Sequence, residues 1–489
     1  MNKICLILLV MVFIIPCAIA ESLSAWGYEN ETVSRQWESN LFFERMHTLT
    51  GVNVQGHGIS EEGEYEKFLS ELEEGKTEAD LLVKANLTRE QEERLLNSGA
   101  LVDLSSYIEE MPNLSALLSE NPQWRKEIAL EDGRIASLPQ INRHPRQVCV
   151  WINASWLNKL GLEMPETIED LTQVLRAIRD GDPNGNGTRD ERAADIIGVY
   201  ELRWLLPYFG ILANDYHVAQ TESGEVVFAP DLPEYREFVS CMRTWYEEGI
   251  LPSDTFTAQH MTLESISGQN QTVKTLSGIL ITPILYTDVA AEDVTGYEAL
   301  LLKDQSGQMR WRDFQGEIWN GTLAVTSRCK DIHSALAWAD ALYGEEGAML
   351  AYAGEENYDY VVNQDGTWDY LSGNTRGMED IRRDSIFYTG VTMPGLVPSE
   401  FVERINSPAD RWIFSQSEKV REKTVPIGSF LSDEQRKKAN ELVTILGEKV
   451  DAGIARFVSG EVELTDQTWQ NWLEDLHESH SSELTDLFK

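Results

Sequence analysis

The feature that most constrains the fold of this chain is a rhythm. From Ser24 onward, short β-prone stretches alternate with amphipathic helical ones, and no internal repeat or low-complexity linker interrupts them. Such alternation predicts an α/β protein with helices covering the faces of its sheets. Leu23–Tyr28 is the first expected strand. Trp37, Leu41, Phe42 and Met46 then share one helix face, ending near Thr50-Gly51, and Val52-Asn53-Val54 reads as the next strand. A helix carrying Tyr65, Phe68, Leu69 and Leu72 precedes a strand at Asp80–Val83, and a further helix through Leu95 and Leu96 ends in a glycine cap at Gly99. Asp132-Gly133-Arg134 is a turn ahead of Ile135–Leu138, a stretch that Pro139 should end. The β-prone run Val148–Ile152 leads into a helix at Ala154–Leu160. Thr167 to Asp170 then has the form of a capping box, with Leu171, Val174, Leu175 and Ile178 at i, i+3, i+4 and i+7. Beyond residue 400 helices dominate, notably Asp433–Phe457 and Thr465–Leu476. Without linkers, two lobes whose sequences interleave fit better than separate beads.

Composition narrows the partners. With 41 Lys+Arg against 81 Asp+Glu the formal net charge is −40, which repels phosphates and makes nucleic acid a poor partner. A hydrophobic share of 42% over 489 residues supplies packed cores for two or three domains. Lys3 precedes an apolar run from Ile4 to Ile15, and Ala18-Ile19-Ala20 forms an A-x-A site before Glu21. Residues 1–20 therefore read as a secretory signal, too short to span a membrane, and the mature chain is expected outside the cytoplasm as a monomer. Cys17 raises lipid anchoring as the competing reading, against which Pro16 stands where an anchor motif has a small residue. Cys149, Cys241 and Cys329 allow at most one bridge, and with no Cys/His cluster a structural zinc is not expected. His477 and His480, three apart in a polar helix, read as an exposed helix face.

The stretch richest in chemistry is Asp182-Pro183-Asn184-Gly185-Asn186-Gly187-Thr188-Arg189-Asp190-Glu191. Oxygen-bearing side chains at positions 1, 3 and 5 and glycine at position 6 match the first half of an EF-hand calcium loop, in which alternate side chains of a tight turn aim at one cation. Position 12 is Ala193 instead of the usual glutamate, so Asp190 and Glu191 would have to complete the shell. The competing reading is an Asx-rich turn that holds no ion. With no second loop of this kind, an ion here would be structural.

Ser155 to Thr167, followed by a helix and the Asp-Pro-Asn-Gly-Asn-Gly loop, resembles the extracellular solute-binding proteins of bacterial ABC importers. The resemblance is to the family 1, calcium-loop subgroup that includes alginate-oligosaccharide and related carbohydrate binders. Glu131–Pro139, Leu342–Gly347 and Phe457–Gly460 with Trp469 agree with it. It implies an α/β, two-lobe, type II periplasmic-binding-protein-like fold with hinge strands, a solute held in an interlobe cleft, and delivery to the transmembrane subunits of an ABC permease. It also implies a structural Ca2+ on Asp182, Asn184, Asn186, Thr188, Asp190 and Glu191. The expected division is a signal peptide at 1–20, lobe 1 at 21–148 and 303–375, and lobe 2 at 149–302 and 376–489. Gly278–Thr287 is more apolar than such a protein needs there.

A sugar cleft needs aromatic faces for pyranose C–H surfaces and polar side chains for hydroxyls. Of the 14 Trp and 16 Tyr, those at expected cleft edges are Trp26, Tyr28, Trp151, Trp204, Tyr208 and Trp319, joined by the carboxylate Glu201. This reading makes the chain a carbohydrate carrier without catalysis. A secreted carbohydrate-active hydrolase is one alternative, though no catalytic motif supports it. A calcium-stabilised cell-surface adhesion module is another.

Overall fold

Leu23–Tyr28 alternates buried and part-exposed positions and pairs in parallel with both Val54–Ile59 and Leu81–Val83. Parallel neighbours need crossover connections, which the helices Leu41–Thr50 and Glu62–Glu73 provide. The first starts where the Asn40 side chain accepts the Phe42 amide at 2.9 Å and stops at Gly51 in the left-handed conformation. The computed structural model describes residues 22–29, 37–221, 223–257, 276–285, 288–314, 316–373, 376–388, 393–425 and 431–489. The expected leader and Cys17 lie outside these. Among the described residues, no helix is long and apolar enough to cross a membrane.

The chain divides into two units that interleave. Unit 1 takes residues 1–139, 320–354 and 372–395, and unit 2 takes 140–319, 355–371 and 396–489. The first boundaries fall at 139/140 and 319/320, where the sequence placed them at 148/149 and 302/303. Residues 355–371 form an excursion into unit 2 that the expected division lacked.

Unit 1 is built on a six-stranded sheet in the order Gly395–Leu396, Leu138–Ile141, Ile318–Val325, Leu81–Val83, Leu23–Tyr28, Val54–Ile59. The second strand in the chain begins at Val54, two residues later than expected, and Leu138–Ile141 runs through Pro139 instead of ending there. Gly27 has no substitute, because a Cβ there would lie 1.6 Å from the Val83 carbonyl oxygen. Below the sheet, Phe42 stacks on Phe387 with centroids 4.7 Å apart and meets Trp338 edge-on at 6.1 Å. A charge pair is sealed beside this layer. Lys84 Nζ, wholly buried, lies 2.8 Å from Glu29 Oε2, which also accepts Trp37 Nε1 at 3.1 Å, and the ammonium sits 4.5 Å from the Phe387 ring centre. The helix Pro112–Glu120 has no cap of its own. Asp340, from the helix Ile332–Ala341, accepts the amides of Leu114 at 2.9 Å and Asn113 at 3.2 Å.

Unit 2 centres on a four-stranded sheet in the order Tyr297–Ala299, Cys149–Asn153, Ser277–Thr282, Arg192–Asp195. Every residue of the two central strands is buried. A strand covered on both faces reads as a continuous apolar run, which accounts for the apolar character that begins at Gly278. Ile168–Asp180 starts at the expected capping box, with Thr167 and Asp170 bonding reciprocally, and buries Leu171, Val174, Leu175 and Ile178. Pro233–Glu247, Asp433–Val458 and Asp466–Glu478 complete the helical cover. Cys149, Cys241 and Cys329 are all free thiols.

Candidate functional site

The loop after Ile168–Asp180 folds around its own oxygens. Gly185 and Gly187 take positive φ of 79° and 81°, a region open to glycine, and so turn the chain tightly enough for alternate side chains to face inward. Asp182 accepts the amides of Gly185, Asn186 and Gly187 at 2.9–3.0 Å. Asn184 Oδ1 takes the Asn186 amide at 2.8 Å, and Asn186 Oδ1 takes that of Thr188 at 2.7 Å. The side-chain amides of Asn184 and Asn186 donate to Asp190 at 3.0 Å, and those bonds, Asn186 foremost, hold the Asp190 carboxyl below its usual range. Lys159 pins the loop through the Pro183 carbonyl at 2.8 Å. Glu191 is 9% exposed. Its Oε1 accepts the Asn184 amide at 3.4 Å, while its Oε2 is buried without a hydrogen-bond partner.

That orphaned oxygen decides whether the loop suits a cation. A buried carboxylate oxygen normally has a partner, and an oxygen-seeking ion would supply one. Among the described residues no group of three or more His, Cys, Asp or Glu converges as a metal site. An ion here would therefore lean on amide and backbone oxygens as much as on carboxylates, as the donor types of this loop allow. The residues present fit Ca2+.

The aromatic residues divide by exposure. In unit 1, Trp26 and Tyr28 occupy part-exposed positions towards the carboxyl end of the first strand, the end at which open α/β sheets bind ligands. Trp26 stacks on His57 at 4.6 Å and on Phe68 at 5.2 Å, and Tyr28 leans on Tyr65 at 5.7 Å. In unit 2, Trp319 is 49% exposed and lies inside the strand Ile318–Val325.

The other four expected contacts are interior. Trp151 is fully buried in a central strand and donates to the Thr282 carbonyl at 3.0 Å. Tyr208 donates to the Leu300 carbonyl at 2.8 Å from a short 3-10 helix, Arg203–Phe209, whose residues are all buried. Glu201 is buried and accepts the Ile197 amide at 2.7 Å, capping its own short helix Gly198–Leu202. Trp204 is 1% exposed, with the Arg312 guanidinium 3.6 Å from its ring centre. All four are buried side chains of unit 2, and the polar atoms of Trp151, Tyr208 and Glu201 are engaged within it, whereas Trp204 Nε1 is buried without a hydrogen-bond partner. Two rings beside Trp204 are exposed in their place, and they were not expected: Tyr200 at 44% and Phe314 at 38%.

A groove of about 1070 Å³ also opens in unit 2, bordered by Thr167, Glu169, Arg236, Cys241, Lys303 and Trp469. Its rim charges are paired, Lys303 with Glu166 and Arg236 with Asp466, and Trp469 is 8% exposed. It offers a solute fewer unengaged groups than the aromatic surfaces do.

No protein-family model matches the chain. Among curated proteins it is similar to a fructooligosaccharide ABC transporter substrate-binding protein, FusA, of Streptococcus pneumoniae serotype 4, 37% identical over 264 residues, which are 50% of this chain and 47% of the relative. It also resembles lipoprotein LipO of Bacillus subtilis, 22% identical over 304 residues, 58% of this chain and 57% of the relative. The chain thus spans about half the length of these relatives. Among solved structures, an HMO-binding ABC-transporter-associated solute-binding protein from Bifidobacterium longum infantis superposes with a TM-score of 0.78 at 18% identity, over 95% of this chain and 97% of that one. An EF-hand mutant of FusA in complex with fructo-nystose gives 0.70 at 21% identity over 96% and 98%. The alginate-binding protein AlgQ2 without calcium ion gives 0.67 at 16% identity over 96% and 97%. These relatives are named as binding proteins or a lipoprotein, none as a catalyst. The chain therefore has the mixed α/β, two-lobe architecture of type II periplasmic binding proteins and is similar to the carbohydrate-binding proteins of ABC importers.

Proposed function

We propose that this protein is an extracytoplasmic, non-catalytic carrier that captures an oligosaccharide and delivers it to an ABC permease. The observation that carries the reading is the 37% identity over 264 residues to a fructooligosaccharide-binding protein, on a chain whose whole described fold superposes on oligosaccharide binders. Part-exposed Trp26, Tyr28 and Trp319 supply aromatic surface to which sugar C–H faces bind, and we assign them to ligand contact.

Asp182, Asn184, Asn186, Asp190 and Glu191, with the Thr188 carbonyl, would hold a structural Ca2+. The ion would supply the missing partner of Glu191 Oε2. An EF-hand mutant and a calcium-free form among the structural relatives support this assignment.

The test is isothermal titration of the calcium-loaded mature protein with neutral and acidic oligosaccharides, followed by chromatography of the recovered sugar. Saturable binding of an intact sugar is expected. Shortened products would overturn the reading in favour of a hydrolase, and no binding to any soluble sugar would overturn it in favour of a surface module.

A further inference from the structure

Within unit 2, Tyr200 and Phe314 stand on one foundation. Both meet the buried Trp204 edge-on, Tyr200 at 6.5 Å and 79°, Phe314 at 5.9 Å and 73°. The Arg312 guanidinium lies 3.6 Å from the Trp204 ring centre, and Trp311 stacks at 6.3 Å. Phe314 is anchored through its amide, which donates to Gln147 Oε1 at 2.9 Å, while Tyr200 has the Arg203 guanidinium 5.6 Å from its ring centre. Large exposed rings are ordinarily scattered. Here two share a rigid base, so little conformational entropy remains to be lost when a ligand stacks on them.

The charges beneath them are spoken for. Arg312 is 5% exposed and donates to the Ala213 carbonyl at 3.0 Å and to Asp215 at 3.2 Å. Arg203 is 8% exposed, with Nη1 at 3.1 Å from His217 Nδ1 and Nε at 3.8 Å from Asp451. Both guanidiniums are buried and ion-paired, and although the Nε of each lacks a hydrogen-bond partner it is covered, so they stiffen the rings without presenting a cation to solvent. A uronate carboxylate above Tyr200 and Phe314 would find both guanidiniums of this cluster buried beneath the rings, and the net charge of −40 would repel it.

We infer that Tyr200 and Phe314 form a stacking platform for an uncharged sugar unit, making the carried solute a neutral oligosaccharide and not a uronate polymer fragment. The inference rests on the proposed carrier function. Its test is calorimetric titration with kestose, a neutral gluco-oligosaccharide and trigalacturonate, on the wild type and on Tyr200→Ala, Phe314→Ala, Tyr200→Phe and, as an exposed tyrosine outside the Trp204 ring cluster, Tyr358→Ala, each checked for an unchanged folded spectrum.

A neutral sugar should bind the wild type. Affinity should fall about tenfold in each of Tyr200→Ala and Phe314→Ala and remain within about twofold in Tyr200→Phe and Tyr358→Ala. Binding of a neutral sugar that both alanine variants retain would overturn the platform while leaving the carrier function in place. Binding of trigalacturonate alone would overturn the charge argument. Binding of none would overturn both the inference and the carrier function on which it rests.

Discussion

Replacing Lys84 with methionine probes the buried charge pair of unit 1. Lys84 is wholly buried and Glu29 is 3% exposed, and Glu29 Oε1 has no hydrogen-bond partner even with the lysine present. Removing the ammonium leaves a carboxylate in the interior with only the Trp37 indole N–H on Oε2. Breaking such a pair from one side costs about 3–5 kcal/mol, because the surviving charge is neither hydrated nor matched. At roughly 2–4 °C per kcal/mol for a body of this size, melting should drop by about 6–20 °C. Removing both charges with Glu29→Gln/Lys84→Met should recover more than half of the loss, since the amide still accepts from Trp37. Differential scanning calorimetry of the wild type, the single and the double variant reads all three. A single variant losing less than about 1 kcal/mol, or a double variant no better than the single, would refute the reasoning.

Thorough chelation should lower the melting temperature, and calcium at about 100 times its dissociation constant should restore roughly 2.7 kcal/mol. Glu191→Gln should lose most of that response; an unchanged response in this variant would remove Glu191 from the shell. Burial, with the Arg203 and Arg312 charges, pushes the His217 imidazole well below 6.5, so the unfolded chain binds its proton first. Stability from this residue is therefore present above pH 6.5 and is lost as pH falls below it. Chemical denaturation at pH 7.5 and 5.5 should show a smaller difference between the two pH values in His217→Gln than in the wild type, and an equal difference would count against it. Asp340→Ala strips the helix Pro112–Glu120 of two amide partners and should cost about 1–2 kcal/mol by denaturant titration; no measurable change would show that water caps that helix equally well.

What was legible in the chain was what is local. The capping box at Thr167 and the glycine stop at Gly51 are each written within a dozen residues and form as read, and the stretch from Asp182 to Glu191 folds into a tight turn around its own side chains. Contacts set by tertiary packing were not legible. Trp151 and Trp204 look like Trp319 in sequence, and only the covering of their strand and short helix separates buried rings from an exposed one. Tyr200 carried a weak signal, an aromatic residue opening a short helix next to Glu201. Phe314 carried less, since its exposure follows from Gln147 holding its amide across 167 positions. The pairing of Lys84 with Glu29 spans 55 positions and leaves no local trace. Pro139 misled for a related reason: a strand can accept a proline wherever its missing N–H is not required by a neighbour.

The most direct measurement of the central claim is thermal unfolding of the calcium-loaded protein against neutral oligosaccharides, with amino acids and peptides as controls. A solute bound by the folded state alone adds about 2.7 kcal/mol at 100 times its dissociation constant. The account predicts a raised melting temperature with a neutral oligosaccharide that is recovered intact, and none with the controls. A shift with amino acids or peptides and none with any sugar would contradict it.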